Sequence, residues 1–167
     1  YSTVMDASKS GRKVYCVISD KYGNKVTTST VILAIETGTY NEEFMQEVLR
    51  LVNIEREKAG VGPLVMDSKV QAAAKVRAKE LETYYSHTRP NGTSCFTIIE
   101  EFDIDWWYLG ENIAMGQNSP EWVMNAWMNS EGHRKNILNP DFNKIGVGHF
   151  QDEYGYNYWC QLFVADN

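Results

Sequence analysis

The apolar residues of this chain change their period at residue 41, and that change limits what the chain can fold into. Before it, Val14–Ser19 and Lys25–Ile35 are rich in β-branched residues and flank the turn signal Asp20-Lys21-Tyr22-Gly23-Asn24. Two such runs around an Asn/Gly turn predict a β-hairpin. A lone hairpin is marginal in water, so it should belong to something larger or lean on the next domain. Gly38-Thr39 reads as a short linker.

From Asn41 the period is helical. Asn41 is an N-cap with Glu42 and Glu43 in the first turn. Phe44, Val48, Leu51 and Val52 line one face to about Ala59, and Gly60 fits the stop. A second helix is predicted from Asp67 or Ser68 to about Tyr85. Its face of Val70, Ala73, Ala74, Arg77 and Leu81 has alanines small enough for close packing. Ser119-Pro120-Glu121 opens a third, with Val123, Ala126 and Trp127 at core spacing. Ile145–Gln151 and Asn157–Val164 are β runs around Asp152–Tyr156, a terminal hairpin. Helices first and strands late predict an α+β fold rather than alternating βαβ units.

Composition narrows the function classes. The formal net charge of −6 argues against a general nucleic-acid binder, which needs clustered Lys and Arg. No run approaches the roughly 20 apolar residues of a membrane-spanning helix. Residues 1–36 carry a net charge of +2, and all 5 Trp lie between Trp106 and Trp159, so the two ends differ in character. Three cysteines leave at least one thiol without an internal partner. The chain starts at Tyr1 with no initiator Met and no apolar leader, so it reads as a piece of a longer precursor. The missing leader then says nothing for the cytoplasm.

There is no His-Glu-x-x-His helix, no Gly-x-Ser-x-Gly elbow, no phosphate loop, no dinucleotide fingerprint and no Cys-x-x-Cys. What stands out is the placing of His. His87 lies in Ser86-His87-Thr88-Arg89-Pro90-Asn91-Gly92, past the end of the second helix. His133 lies in Ser130-Glu131-Gly132-His133-Arg134, past the third. Between them sits Glu111 in Gly110-Glu111-Asn112-Ile113-Ala114. Loops on a scaffold are where sites concentrate, although spacing alone does not bring these residues together. Exposed or capping histidines are the plain alternative. Neutral imidazoles and a carboxylate suit zinc, or magnesium with waters. Without metal, Glu111 beside a His favours the imidazolium, and the set suits acid–base work near neutral pH. No nucleophile is evident; Ser86 is an ordinary helix-end residue beside His87.

The motifs then become specific. Gly110–Ala114 and Trp127-Met128-Asn129-Ser130-Glu131-Gly132-His133-Arg134-Lys135-Asn136-Ile137-Leu138, followed by Asn139-Pro140, Phe142 and Ile145-Gly146-Val147-Gly148, resemble the CAP superfamily. That superfamily holds the cysteine-rich secretory, antigen 5 and pathogenesis-related proteins. The likeness is nearest to its bacterial branch of SCP-like extracellular proteins. It begins at Asn53–Gly60, passes through Pro63-Leu64 and His87-Thr88-Arg89-Pro90, and ends at Tyr158–Phe163. It covers about residues 40–167, in order.

The resemblance implies a three-layer α–β–α sandwich with a central antiparallel sheet and an open cleft. It also implies a cleft tetrad of two His and two acids, which in some members holds a divalent metal. Position by position these are His87, Glu111 and His133. The second acid falls near Ser130, where the nearest carboxylate is Glu131; its plain reading is a first-turn acid. Animal and plant relatives are disulfide-rich, but Cys95 and Cys160 map onto no family bridge, and Cys160 also reads as a small buried hydrophobe. Tyr15-Cys16-Val17-Ile18-Ser19-Asp20 and Val31-Ile32-Leu33 resemble the last two strands of a bacterial immunoglobulin-like domain. Residues 1–37 would then be its remnant plus a linker, with Cys16 parted from its partner, and residues 38–167 the CAP domain.

Two side readings complete the expectations. His149 alternates with Phe150 and is expected on a strand surface, outside the site. Of Trp106-Trp107-Tyr108, alternation expects one ring in the core and one exposed. The resulting expectation is a secreted or cell-surface monomer whose His/Glu cleft takes a lipid, glycan or peptide, with zinc or another divalent metal. The alternative is a metal-assisted hydrolase of peptide or cell-wall material. One fold hosts several activities, so the resemblance does not choose between them.

Overall fold

The computed structural model describes the strand residues 13–14, 17–19, 25–27 and 31–32, and then residues 38–166. The chain divides into Tyr1–Thr37 and Gly38–Asn167. In the first unit β1 (Lys13–Val14) pairs antiparallel with β4 (Val31–Ile32). β2 (Val17–Ser19) pairs antiparallel with β3 (Lys25–Thr27). The Asp20–Asn24 turn and Cys16, with the immunoglobulin-like reading, lie outside the described residues.

The second unit runs α1 (Glu42–Lys58), β5 (Val65–Met66), α2 (Ser68–Thr83), α3 (Thr97–Glu101), β6 (Tyr108–Met115), α4 (Pro120–Met128), α5 (Glu131–Ile137), β7 (Lys144–Gln151) and β8 (Asn157–Ala165). The helix starts follow the capping rules. Asn41 Oδ1 accepts from the Phe44 N–H, Asp67 from Lys69 and Val70, and Ser119 from Trp122, with Pro120 in the first turn. The short helices α3 and α5 escape sequence reading because neither is long enough to show a period. His133 therefore sits on a helix, not in a loop.

The sheet order is β5-β7-β8-β6. β7–β8 and β8–β6 are antiparallel, while the two-residue β5 joins β7 in parallel. Side chains alternate across the sheet and make two cores. On one face Ile145, Val147, Trp159 and Phe163 meet Met45, Val48 and Val52 of α1, with Val123 and Trp127 of α4 and Ile137 of α5. On the other, Ile113, Cys160, Leu162 and Val164 meet Val70, Ala73, Ala74 and Ala78 of α2, with Ile98 and Ile99 of α3. This is the α–β–α sandwich.

Close approach of α2 to the sheet needs Gly in β7. A Cβ at Gly146 would stand 2.1 Å from the Val70 carbonyl oxygen, and one at Gly148 2.0 Å from that of Ala74. On the opposite face Arg56 of α1 is buried, with no carboxylate partner among the described residues. It donates to the carbonyls of Gly62, Ile137, Asn139 and Phe142, at 2.6, 2.8, 2.8 and 3.2 Å. These carbonyls include the last turn of α5, so a single guanidinium ties the end of α1 to the helix that carries His133.

Two side readings are corrected. His149 is buried, because β7 lies between two helical layers and both of its faces are covered. Its ring packs 4.3 Å from that of Trp159, and its Nε2 is 2.9 Å from Asn157 Oδ1. Trp106, Trp107 and Tyr108 are all exposed. The chain bends at Trp107, so strand alternation does not apply there. Tyr108 instead stacks on Phe142 at 5.2 Å.

Gly148→Ala should lower unfolding stability by about 1–3 kcal/mol, the usual cost of overpacking. Gly62→Ala, whose Cβ meets nothing within 4 Å, should change it by less than about 0.5 kcal/mol. Urea unfolding of both variants checks the pair.

Candidate functional site

The site grows from Glu111. It sits on β6 with its side chain on the α2 face, among the few buried polar residues. Arg77 comes down from α2, one turn past Ala73 and Ala74. Its Nε donates to Glu111 Oε2 at 2.9 Å and its Nη2 lies 3.4 Å from Oε1. Both side chains are out of water, with 0% and 1% exposure. Such a pair contributes little when intact, but removing one partner strands a buried charge at a cost of about 3–5 kcal/mol.

Arg77 also shapes the loop that follows α2. Its Nη2 donates to the Ser86 carbonyl at 2.9 Å, and its Nη1 pairs with Glu80. Glu80 holds Arg89, which also binds Glu101. The Cys95 N–H donates to the His87 carbonyl, closing the loop on itself. His87 is thereby aimed at the sheet, and its Nδ1 lies 2.7 Å from Glu111 Oε1. Its side chain remains 57% exposed, so the far edge of the ring is open.

Opposing effects set the charges. Burial pushes the Glu111 carboxyl up, but the bonds from His87 and Arg77 outweigh it and hold the group below the usual range. The hydrogen bond to Glu111 raises His87, against burial and the Arg77 charge. Two free thiols lie nearby, Cys95 and Cys160, both buried. Burial pushes Cys95 up to about 12, helped by Glu111. Burial and then Glu111 also push Cys160 well above the thiol range; its Sγ is 3.7 Å from Glu111 Oε2.

His133 arrives from the other layer. The residue after Glu111 points to the opposite face, where Asn112 Nδ2 donates to the His133 carbonyl at 3.1 Å and to Gln161 Oε1 at 2.9 Å. Asn136, one turn on in α5, returns a bond to Asn112 Oδ1 at 2.9 Å and another to the Glu111 carbonyl at 3.2 Å. The Gly-Glu-Asn motif therefore grips both helical layers through strand alternation. Burial and the neighbouring His87 charge lower the His133 pKa.

The structure brings His87 and Glu111 into contact; His133 is held through its carbonyl by Asn112 and is not in the group of ligand atoms that lie within 4.8 Å of one another. Glu131 lies on the exposed first turn of α5 and pairs with Lys135 at 2.7 Å, not with this cluster. Cys95 takes the remaining place. The ligand atoms of His87, Cys95 and Glu111 lie within 4.8 Å of one another. Sequence reasoning had no signal for Cys95 or Asn112. Arg77 was visible only as a charged residue on an apolar helical face.

The donors decide how a divalent metal would be held. Arg77 already pairs with the Glu111 carboxylate, and burial raises the Cys95 thiol, so a metal held there would have to displace the thiol proton. Glu111 also accepts from His87 Nδ1, the outer carboxylate that commonly orients a metal-binding imidazole. Among the described residues the group that could hold such a metal is His87, Cys95 and Glu111.

The sequence model of the cysteine-rich secretory protein family, CAP, matches residues 49–163. YkwD of Bacillus subtilis (strain 168) is 42% identical over 124 residues, 73% of this chain and 47% of YkwD. This chain thus spans about half the length of that relative. An SCP-domain extracellular protein from Bacillus anthracis str. Ames matches with a TM-score of 0.70 at 26% identity, covering 86% of this chain and 47% of that one. An outer surface protein from Borrelia burgdorferi matches with a TM-score of 0.71 at 25% identity, covering 78% of this chain and 100% of that one.

The pH dependence follows with a definite sign. The folded pKa of His87 lies above its unfolded value of 6.5. Its contribution to stability is then complete below the unfolded pKa and is lost as pH rises through the folded one. His133 and His149, whose folded values are lowered, act oppositely and cost stability as pH falls below the unfolded value. The stability gap between wild type and His87→Ala should therefore shrink as pH rises above about 6.5. Chemical denaturation across this range checks it, and a gap that widens with pH contradicts it.

Proposed function

The chain belongs to the cysteine-rich secretory protein (CAP) family, and from that premise we propose that its cleft is a binding site in which His87 and His133 hold a divalent metal, zinc foremost, beside a small ligand. The observation that carries this reading is the His87 Nδ1 to Glu111 Oε1 contact of 2.7 Å. A carboxylate on Nδ1 keeps the proton there and leaves the Nε2 lone pair free, on an exposed ring. Arg77 prevents Glu111 from leaving that role. Asn112 and Asn136 fix the His133 backbone, and Arg56 anchors the end of α5.

A zinc ion so placed supplies a Lewis acid and an activated water. That supports metal-assisted hydrolysis of peptide or cell-wall material as a second reading. One observation favours it: the buried Glu111 carboxylate backs the His87 ring, which raises the basicity of a ligating imidazole. We favour binding, because Glu131, the second acid the resemblance implies, faces solvent and pairs with Lys135.

The location we propose is extracellular or cell-surface, in keeping with the names of the two bacterial structures. Among the described residues no helix is long and apolar enough to cross a membrane. We further propose that residues 1–37 belong to an adjoining β module and residues 38–167 form the CAP domain.

Zinc calorimetry tests the site. Wild type should bind, His87→Ala and His133→Ala should lose most of the heat, and Glu111→Gln should weaken binding about 10–100-fold. Glu131→Gln should match wild type. Equal heats in wild type and His133→Ala would reject the assignment. Incubation of wild type and zinc with cell-wall fragments and generic peptides, read by mass spectrometry, decides between the two readings: products support hydrolysis, and their absence supports binding.

A further inference from the structure

Three neighbouring rings stand out of the fold at the start of β6. Trp106, Trp107 and Tyr108 are each exposed over roughly half their surface. A group of large apolar side chains left in water marks a place of contact. The group is rigid. Tyr108 stacks on Phe142 with the rings 10° from parallel, and Phe142 stacks in turn on Phe163 at 5.3 Å. Both phenylalanines are buried, so the stack is rooted in the core. The Trp107 ring lies 27° from parallel to that of Tyr108, with centroids 6.1 Å apart. A platform held in this way loses little freedom when a ligand settles on it.

The two flanks of the platform differ in charge. On one side Tyr108 borders a recess of about 610 Å³ with Arg134, Lys135 and Asn139, a size suited to a small ligand. The polar groups left open there are donors. Arg134 spends Nη1 on the Met128 carbonyl at 2.8 Å, and no partner among the described residues takes its Nε or Nη2. Asn139 accepts the Asp141 N–H through Oδ1, which leaves its amide N–H groups open. Lys135 pairs with Glu131, but both side chains stand in water, and such a pair exchanges readily with a ligand. No carboxylate lines this recess among the described residues. On the other side Trp106 and Trp107 border a second recess with Asp105 and Asp166. Asp166 is taken by Lys144 and Asn143, while Asp105 has no partner among the described residues.

We propose that this surface docks an acidic oligosaccharide with isolated carboxylates, its sugar rings stacked on the exposed aromatic rings, a carboxylate on Arg134 and Lys135, and hydroxyls on Asp105. The occupant needs an apolar face for the platform, negatively charged acceptors for one flank and O–H donors for the other. A pyranose presents its axial C–H bonds as an apolar face and its hydroxyls around the rim, and a carboxylate on every second ring supplies the charge that a guanidinium pairs with best. A fatty acid has no donors for Asp105. The closely spaced phosphates of a nucleic acid would meet Asp105 and a chain of net charge −6, so a dense polyanion is repelled. The recess beside Tyr108 shares no lining residue with the His87, Cys95 and Glu111 group, so this surface stands apart from the metal reading.

The test uses a hyaluronan hexasaccharide, which carries a carboxylate on alternate rings, with three controls. Chitohexaose has the rings without the acid, Ac-Glu-Ala-Glu-Ala-NH2 has the acid without the rings, and oligothymidylate is a dense polyanion. Each is titrated into the full chain while the tryptophan indole N–H signals are followed by two-dimensional NMR. The hyaluronan fragment should bind saturably and shift the Trp107 indole signal. Trp107→Ala and Lys135→Gln should each weaken it at least about fivefold, and the controls should bind more weakly by at least the same factor. Glu131→Gln should tighten it about twofold by releasing Lys135 from its pair, a gain that a merely structural role for Glu131 would not give. All three substituted side chains are exposed, and unchanged zinc binding in Trp107→Ala reports that the fold is intact. Absence of saturable hyaluronan binding, equal affinity for any control, unchanged affinity in Trp107→Ala or weaker binding in Glu131→Gln would overturn the proposal. Saccharide binding without zinc binding would overturn the two-histidine reading alone.

Discussion

The buried pair between Arg77 and Glu111 is the constraint on which the rest of the site depends. A carboxylate and a guanidinium placed under a helix, out of water, persist only if each finds its full set of partners. Glu111 uses Arg77, His87 and the nearby Cys160 thiol; Arg77 uses Glu111, Glu80 and the Ser86 carbonyl. Satisfying the two charges therefore fixes the loop after α2, and with it the His87 ring. The orientation of the histidine is a by-product of keeping a buried carboxylate satisfied.

The same strand carries the second half of the device. Alternation sends Glu111 into the α2 layer and Asn112 into the layer of α4 and α5, where it grips the His133 carbonyl. Two consecutive residues of an edge strand thus join two helical layers that do not otherwise need to be in register. Arg56 supports the arrangement from behind by capping the carbonyls at the end of α5.

Much of this was legible in the sequence. Asn41, Asp67 and Ser119-Pro120 marked three helix starts because capping is local chemistry. The two final strands were readable from their β-branched and aromatic runs. The alanines of α2 announced close packing, although not that Gly146 and Gly148 would receive the helix. His87, Glu111 and His133 were found through motifs; the structure sets His87 against Glu111 and ties the His133 carbonyl to Asn112. The rest depended on long-range contacts. Cys95 reaches Glu111 only because the loop after α2 folds back on itself. Glu131 is a neighbour of His133 in sequence, yet helix geometry turns it to solvent and Lys135. His149 looked like a surface residue because alternation cannot reveal that a strand is covered on both faces.

The chemistry of the site follows from which ring nitrogen of His87 carries the proton. Glu111 on Nδ1 leaves Nε2 with a free lone pair, able to ligate a metal or to accept a hydrogen bond from a ligand. The most direct measurement is a long-range proton–nitrogen NMR correlation on the His87 ring at a pH above its titration. Protonation on Nδ1, with Nε2 bare, is the predicted result. A ring protonated on Nε2 would contradict the account, because Glu111 could then not be the group that orients it.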